Sequence, residues 1–315
     1  MALAPALARG ASSPGRFAVG VTSLTFTKSS VSTGAPRPLD TVIWYPAVDG
    51  TGTAEALGLR DADAYARSSP LIVYSHGACG RPVEASYLTM AMASRGFVVA
   101  APPHPGDTAD DLPGCLTAAE TADSYLNRVP DVRFVIDSML AEAGTPSSRF
   151  ADRLRPDAIG IAGVSFGGFT TLLAAQQEPR LRTALALVPG GTTVLQANDI
   201  TIPTMVIGGE RDAVVGFAES EHAYERLAGP RFLVELLAAN HLAVVDNCGP
   251  LCSPDDIPQA LAHRLVIHFA LPFLRYYLAQ GHLRGPAPVR PVPPALLTAE
   301  PQGRAPAVTT PASAG

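Results

Sequence analysis

Lysine is nearly missing from this chain: Lys28 is the only one, and arginine supplies the rest of the 23 basic residues. No cluster of positive charge forms, and the formal net charge is −5. That balance argues against nucleic-acid binding and against electrostatic attraction to an anionic membrane. The preference for arginine is attributed to a GC-rich genome. Long apolar runs are also lacking, and none approaches the roughly 20 residues that a membrane-spanning helix needs. The opening Met1-Ala-Leu-Ala-Pro-Ala-Leu-Ala has neither a charged start nor a full apolar core, so it is a poor signal peptide. Tryptophan occurs once, at Trp44, and cysteine four times.

What is abundant is apolar. Hydrophobic residues make up 47% of 315 and charged ones 16%, enough to bury one large core. Residues 1–16 read as a loose lead-in and 17–283 as a single domain. The proline- and alanine-rich stretch 284–315 cannot bury enough surface to offset its chain entropy, so a disordered tail is expected.

The stretch Asp157-Ala-Ile-Gly-Ile-Ala-Gly163-Val164-Ser165-Phe166-Gly167-Gly168 is an apolar strand that breaks at a glycine-flanked serine and continues as the helix-forming Phe169-Thr-Thr-Leu-Leu-Ala-Ala-Gln. These are the parts of a nucleophile elbow, a tight strand-to-helix turn that lifts a serine hydroxyl above the sheet. Small residues at 163 and 167 meet a steric demand, and the helix would point its free N–H groups at any negative charge developing beside Ser165.

A nucleophilic serine needs a base, and the base an orienting acid. Downstream, Pro203-Thr-Met-Val-Ile-Gly-Gly209 reads as a buried strand, with Asp212 just past its end and Glu210 as a rival acid. The next strand, Arg231–Leu237, runs into Ala238-Ala-Asn-His241-Leu, which makes His241 the base candidate. His76 and His104 precede the serine, His222 falls in a helix too soon after Asp212, and His263, His268 and His282 lie in or after the last helix. Upstream, the strand Ser69–Ser75 leads into His76-Gly77-Ala78-Cys79-Gly80, a loop placed to supply a second oxyanion donor. The N–H groups of Ala78 and Phe166 are the expected pair. Cys79, Val214, Phe217 and Leu242 flank these positions and are candidates to line an apolar acyl pocket.

Tyr74-Ser-His-Gly77, Ala93-Ser-Arg-Gly-Phe-Val-Val-Ala-Ala-Pro102-Pro-His-Pro, Gly163-Val-Ser-Phe-Gly-Gly168 and Asn240-His241-Leu together resemble the platelet-activating-factor acetylhydrolase-like branch of the α/β-hydrolase superfamily, related to dienelactone hydrolases and neighbouring the cutinase-like polyester hydrolases. The resemblance runs from about Phe17 to Leu283. It implies an α/β-hydrolase fold: a mostly parallel central sheet with an antiparallel N-terminal edge and helices on both faces. It further implies a serine esterase or lipase acting on short- to medium-chain acyl esters, with Ser165, Asp212 and His241 as the triad and no cofactor. Dienelactone hydrolases typically carry cysteine where this chain has Ser165. Cutinase-like enzymes typically place an aromatic residue after the oxyanion-loop glycine and a tryptophan after the strand that follows the nucleophile helix. Here those places read Ala78 and Val188-Pro-Gly-Gly191, so polyester or phospholipid cleavage stands as an alternative. A peptidase would normally need a cap or propeller domain for which the lengths leave little room. A non-catalytic binding protein on the same fold requires a damaged triad or oxyanion loop, and neither is visible.

Cys248 and Cys252 bracket Gly-Pro-Leu shortly after His241 and can close as a disulfide that braces the base. Cys79 can pair with Cys115, although four cysteines allow three connectivities. No second pair is spaced to complete a metal site. Disulfides suit an oxidising compartment, so secretion is expected, with a cytoplasmic location as the alternative. Oligomeric state is silent in the sequence. Ala54–Arg67 reads as a short alanine-rich helix, Pro130–Leu140 as a helix opened by its proline, residues 103–118 and 190–201 as connections at the pocket rim, and 258–280 as the last long helix.

Overall fold

A computed structural model of the chain describes residues 17–196, 198–249, 252–280 and 308–309. The N-terminal segment 1–16, His282 and most of the expected tail lie outside the described residues.

An 11-stranded sheet forms the spine. In chain order its strands are β1 (Ala18–Ser29), β2 (Pro36–Ala47), β3 (Thr53–Glu55), β4 (Gly58–Arg60), β5 (Ser69–Ser75), β6 (Val98–Ala101), β7 (Leu154–Val164), β8 (Leu181–Leu187), β9 (Thr204–Gly209), β10 (Arg231–Leu236) and β11 (Val308–Thr309). Across the sheet the order is β11-β10-β9-β8-β7-β5-β6-β2-β1-β4-β3. From β6 through β10 neighbouring strands run parallel, and β2 joins them antiparallel to both β6 and β1. This is the α/β-hydrolase fold, with its antiparallel N-terminal edge.

Strands of a covered parallel sheet are apolar on both sides, and β5 shows it. Ile72 and Tyr74 enter one core cluster while Leu71 and Val73 enter another on the opposite face. Helices α1 (Ser86–Ala93) and α5 (Gln259–Leu274) cover the first face, through Leu88, Met92, Leu265 and Phe269. On the second face lie α2 (Ala118–Gly144), α3 (Phe166–Gln177) and α4 (Phe217–Glu225), through residues such as Val132, Ile136, Ala174, Leu172 and Ala223.

Two expectations need correction. Ala54–Arg67 is not helical; β3 and β4 make a hairpin there, because Gly52 and Gly58 sit at φ +74° and +131° and β4 pairs with β1. Pro130 does not open a helix but lies inside the 27-residue α2. That helix starts at Thr117, whose side chain accepts the Glu120 N–H, and the missing Pro130 donor is absorbed within a helix held by its buried stripe. Within the expected disordered tail, Val308–Thr309 pairs with Leu233–Val234 at the sheet edge.

Candidate active site

Ser165 stands between β7 and α3 with φ 55° and ψ −118°, a strained conformation for a residue bearing a side chain. Two backbone bonds hold it: its N–H donates to the Leu187 carbonyl and its carbonyl accepts from Phe169 N–H, both at 2.9 Å. The turn is tight enough that a Cβ on Gly163 would sit 2.3 Å from the Gly167 oxygen, and one on Gly167 would sit 1.9 Å from the Ser75 oxygen.

The loops after β9 and β10 bring the other two residues to the same sheet edge. His241 Nε2 lies 2.9 Å from Ser165 Oγ, and its Nδ1 lies 2.6 Å from Asp212 Oδ2. The second oxygen of Asp212 accepts the N–H groups of Val214 and Val215. Burial alone would raise the Asp212 carboxyl, but the hydrogen bonds from His241 and these two amides bring it below its ordinary value, so it is a carboxylate at neutral pH. Glu210, the rival acid, instead accepts the Ala238 N–H at 2.8 Å and ties together the two loops. Asn240 caps the turn that carries His241 and reaches Asp256, just past a disulfide between Cys248 and Cys252.

The loop after β5 lies against the serine: a Cβ on Gly77 would be 3.4 Å from Ser165 Cβ. Its backbone donors are mostly committed. Gly77 N–H goes to Glu84 Oε1, Cys79 N–H to Asp107 Oδ1 and Gly80 N–H to the Gly77 carbonyl. Ala78, which is exposed, has no protein acceptor for its N–H among the described residues. Cys79 is joined to Cys115 by a disulfide, which links this loop to the segment 103–118. Of the other candidate lining residues, Val214 is exposed, Leu242 packs partly on the first core cluster, and Phe217 packs on the third, close over Gly208.

Beneath the loop is a buried polar network that no sequence motif marks. Arg128 on α2 donates to the carbonyls of His76 (2.6 Å) and Gly77 (3.1 Å) and to Asp107 (2.7 Å). The usable signal was its place on the apolar stripe of α2 with Val132, Val135 and Met139, where a charge demands partners. Ser75, His104 and Asp131 form a second Ser–His–Asp chain, with Ser75 Oγ 2.9 Å from His104 Nε2 and Asp131 Oδ2 3.0 Å from Nδ1. Its Ser–His distance equals that of the first chain and its His–Asp distance is 0.4 Å longer, yet Ser75 and His104 are fully buried and Ser75 Oγ faces Arg128. Burial, with Arg128 nearby, lowers His104 to about 4, so its imidazole is neutral. Access to solvent, rather than hydrogen-bond length, separates the two chains. Among the described residues no group of three or more His, Cys, Asp or Glu side chains is placed to hold a metal ion.

Glu84 allows a test of how this network is charged. Burial raises its carboxyl from 4.5 to about 7, against the lowering effect of the Gly77 N–H. Between those values the folded chain keeps a proton that the unfolded chain has released, so its contribution to stability is full at low pH and falls as pH rises, by about 3 kcal/mol in all. Glu84→Gln keeps an acceptor and removes the titration. Urea unfolding should therefore show the variant gaining on the wild type by about 3 kcal/mol between pH 4.5 and 7.5. A pH-independent difference would contradict the assignment.

A family model described as PET hydrolase-like matches residues 66–249, which include β5 through the loop bearing His241. The chain belongs to the PET hydrolase-like family. Curated relatives include cutinases est2 and est1 of Thermobifida alba, 29% and 28% identical over 198 residues. Each match covers 62% of this chain and 59% or 60% of the relative, so the chain spans about three-fifths of their length. A cutinase of Thermobifida fusca is 27% identical over 175 residues, 55% of this chain and 52% of its own. Among solved structures, a ferulic acid esterase from Streptomyces cinnamoneus superposes with a TM-score of 0.72 at 21% identity, covering 89% of this chain and 96% of that one. The family falls with the cutinase-like neighbours of the branch that the motifs resemble. Among the described residues of this PET hydrolase-like protein, no helix is long and apolar enough to cross a membrane.

Proposed function

We propose that the protein is a serine carboxylic-ester hydrolase working through an acyl-enzyme. One observation carries this reading: an unbroken hydrogen-bond path from a partly exposed Ser165 on a strained elbow, through His241, to the Asp212 carboxylate. Ser165 Oγ attacks the ester carbonyl while His241 Nε2 takes its proton, and Asp212 fixes the tautomer and stabilises the imidazolium. The tetrahedral oxyanion is held by the N–H groups of Ala78 and Phe166. His241 returns the proton to the leaving alcohol, and water repeats the sequence on the acyl-enzyme. Every proton passes between these groups, substrate and water, so the chemistry calls on no cofactor.

The substrate class is a small or lipid-like ester with a short- to medium-length acyl chain, held beside Leu242 and Val214. Membership of a PET hydrolase-like family favours polyester as a second reading, while Ala78 and Val188–Gly191 supply no aromatic group to clamp a polymer ring. Two disulfides support an oxidising compartment and secretion.

The test compares p-nitrophenyl esters of increasing acyl length with a matched p-nitroanilide. Turnover is expected on the shorter esters, falling with chain length, and at least about a hundred-fold slower on the anilide. Equal turnover of ester and anilide would contradict an esterase.

A further inference from the structure

The peptide unit between Gly77 and Ala78 is gripped by its carbonyl. Gly77 O accepts from His76 Nδ1 at 2.7 Å, from Arg128 Nη2 at 3.1 Å and from Gly80 N–H at 3.1 Å. In a planar trans peptide the N–H points opposite to the C=O, so a carbonyl drawn into the buried network turns the Ala78 N–H away from that network, in a loop that lies against Ser165. The preceding peptide is fixed in the same way, its carbonyl on Arg128 Nη1 and its N–H on Glu84. The following one is tied by Cys79 N–H to Asp107, whose other oxygen accepts Arg128 Nε and Nη2. The same guanidinium lies 4.5 Å over the ring centroid of Phe166, whose N–H has no protein acceptor among the described residues.

We propose that Arg128 is a positioning residue for the oxyanion hole, its fork spanning two loop carbonyls and Asp107 so that the Ala78 N–H stays aimed at the reacting carbonyl beside Ser165. This rests on the esterase reading above. Packing alone does not call for arginine here, since a buried ion pair is commonly replaced by apolar residues at little cost. Holding two carbonyls and a carboxylate at once needs a planar group with several donors in fixed directions, which lysine lacks.

Two variants test it. Arg128→Lys keeps a charge beside Asp107 but cannot span both carbonyls. The double variant Arg128→Met with Asp107→Asn removes the pair together, so no lone charge is buried and the amide introduced at position 107 retains an acceptor for Cys79 N–H. Reactive sites are counted by labelling Ser165 to completion with a fluorophosphonate, and kcat and KM for p-nitrophenyl acetate are expressed per labelled site. In both variants kcat per site is expected to fall about ten- to a hundred-fold with KM within about two-fold, and the labelling rate to fall in parallel, because the phosphonyl oxygen uses the same donors. A kcat per site within two-fold of wild type in a folded variant overturns the proposal, as does a loss confined to the number of sites, which is what a purely structural role gives. In either case wild-type turnover leaves the esterase reading standing. Failure to label Ser165 in the wild type removes both.

Discussion

Ser165→Ala is expected to lower kcat on a p-nitrophenyl ester by about 10⁴- to 10⁶-fold while the fold persists. The size follows from what is lost and what remains. Without Oγ no acyl-enzyme forms, so His241 can only activate water, and the residual rate comes from the oxyanion donors and from binding. Stability should change by less than about 1 kcal/mol, because the hydroxyl makes one side-chain contact and both backbone bonds of residue 165 survive. Alanine inherits the same positive φ, so that strain is not relieved. Steady-state kinetics with a calorimetric scan separate the two effects. Retention of more than about one per cent of turnover would move the nucleophile elsewhere, given the acceleration a serine nucleophile supplies.

Gly167→Ala has the second large effect, and it falls on folding. The new methyl group would lie 1.9 Å from the Ser75 carbonyl oxygen and 2.5 Å from that of His76. Both are backbone atoms of β5 and the loop after it, so no flexible side chain can swing aside, and α3 has to part from the sheet. A loss above about 4 kcal/mol is expected in urea unfolding, or no folded protein at all. Gly144→Ala is the control: nothing lies within 4 Å of its added carbon, at the end of α2, and its φ is not positive. That change should be neutral or stabilise by up to about 1 kcal/mol, since alanine is the better helix former. Similar stability in the two variants would contradict the close elbow-to-strand approach.

The contrast between these glycines bears on how much was legible in the chain. Gly163 and Gly167 were readable as a steric demand because a strand, a serine and a helix surround them in sequence. Chain order then pointed to His241 and to Asp212, with Glu210 as the rival acid, and the structure places Asp212 and His241 within hydrogen-bonding distance of one another, with His241 also reaching Ser165. Short continuous apolar runs made the buried parallel strands plain. Local composition misled where a turn decided the outcome. The alanines of 54–67 suggested a helix, but Gly52 and Gly58 close a hairpin there, and Pro130 resembled a helix start although the capping threonine lies thirteen residues earlier, at 117.

The network under the oxyanion loop was not legible for a different reason. Ser75, His76, Gly77, Glu84, Asp107 and Arg128 come together from a strand, two loops and a helix, with no fixed spacing to mark them. Ser75, His104 and Asp131 carry the opposite warning. They copy the hydrogen bonds of a triad in a place no substrate reaches, and only burial shows it.

The central claim is that Ser165 is the nucleophile. Incubating the intact protein with a fluorophosphonate and locating the adduct by peptide mass spectrometry tests it most directly. A single adduct on the peptide containing Ser165, absent from Ser165→Ala, is the predicted result. No adduct, or an adduct on another serine with Ser165 unmodified, would contradict it.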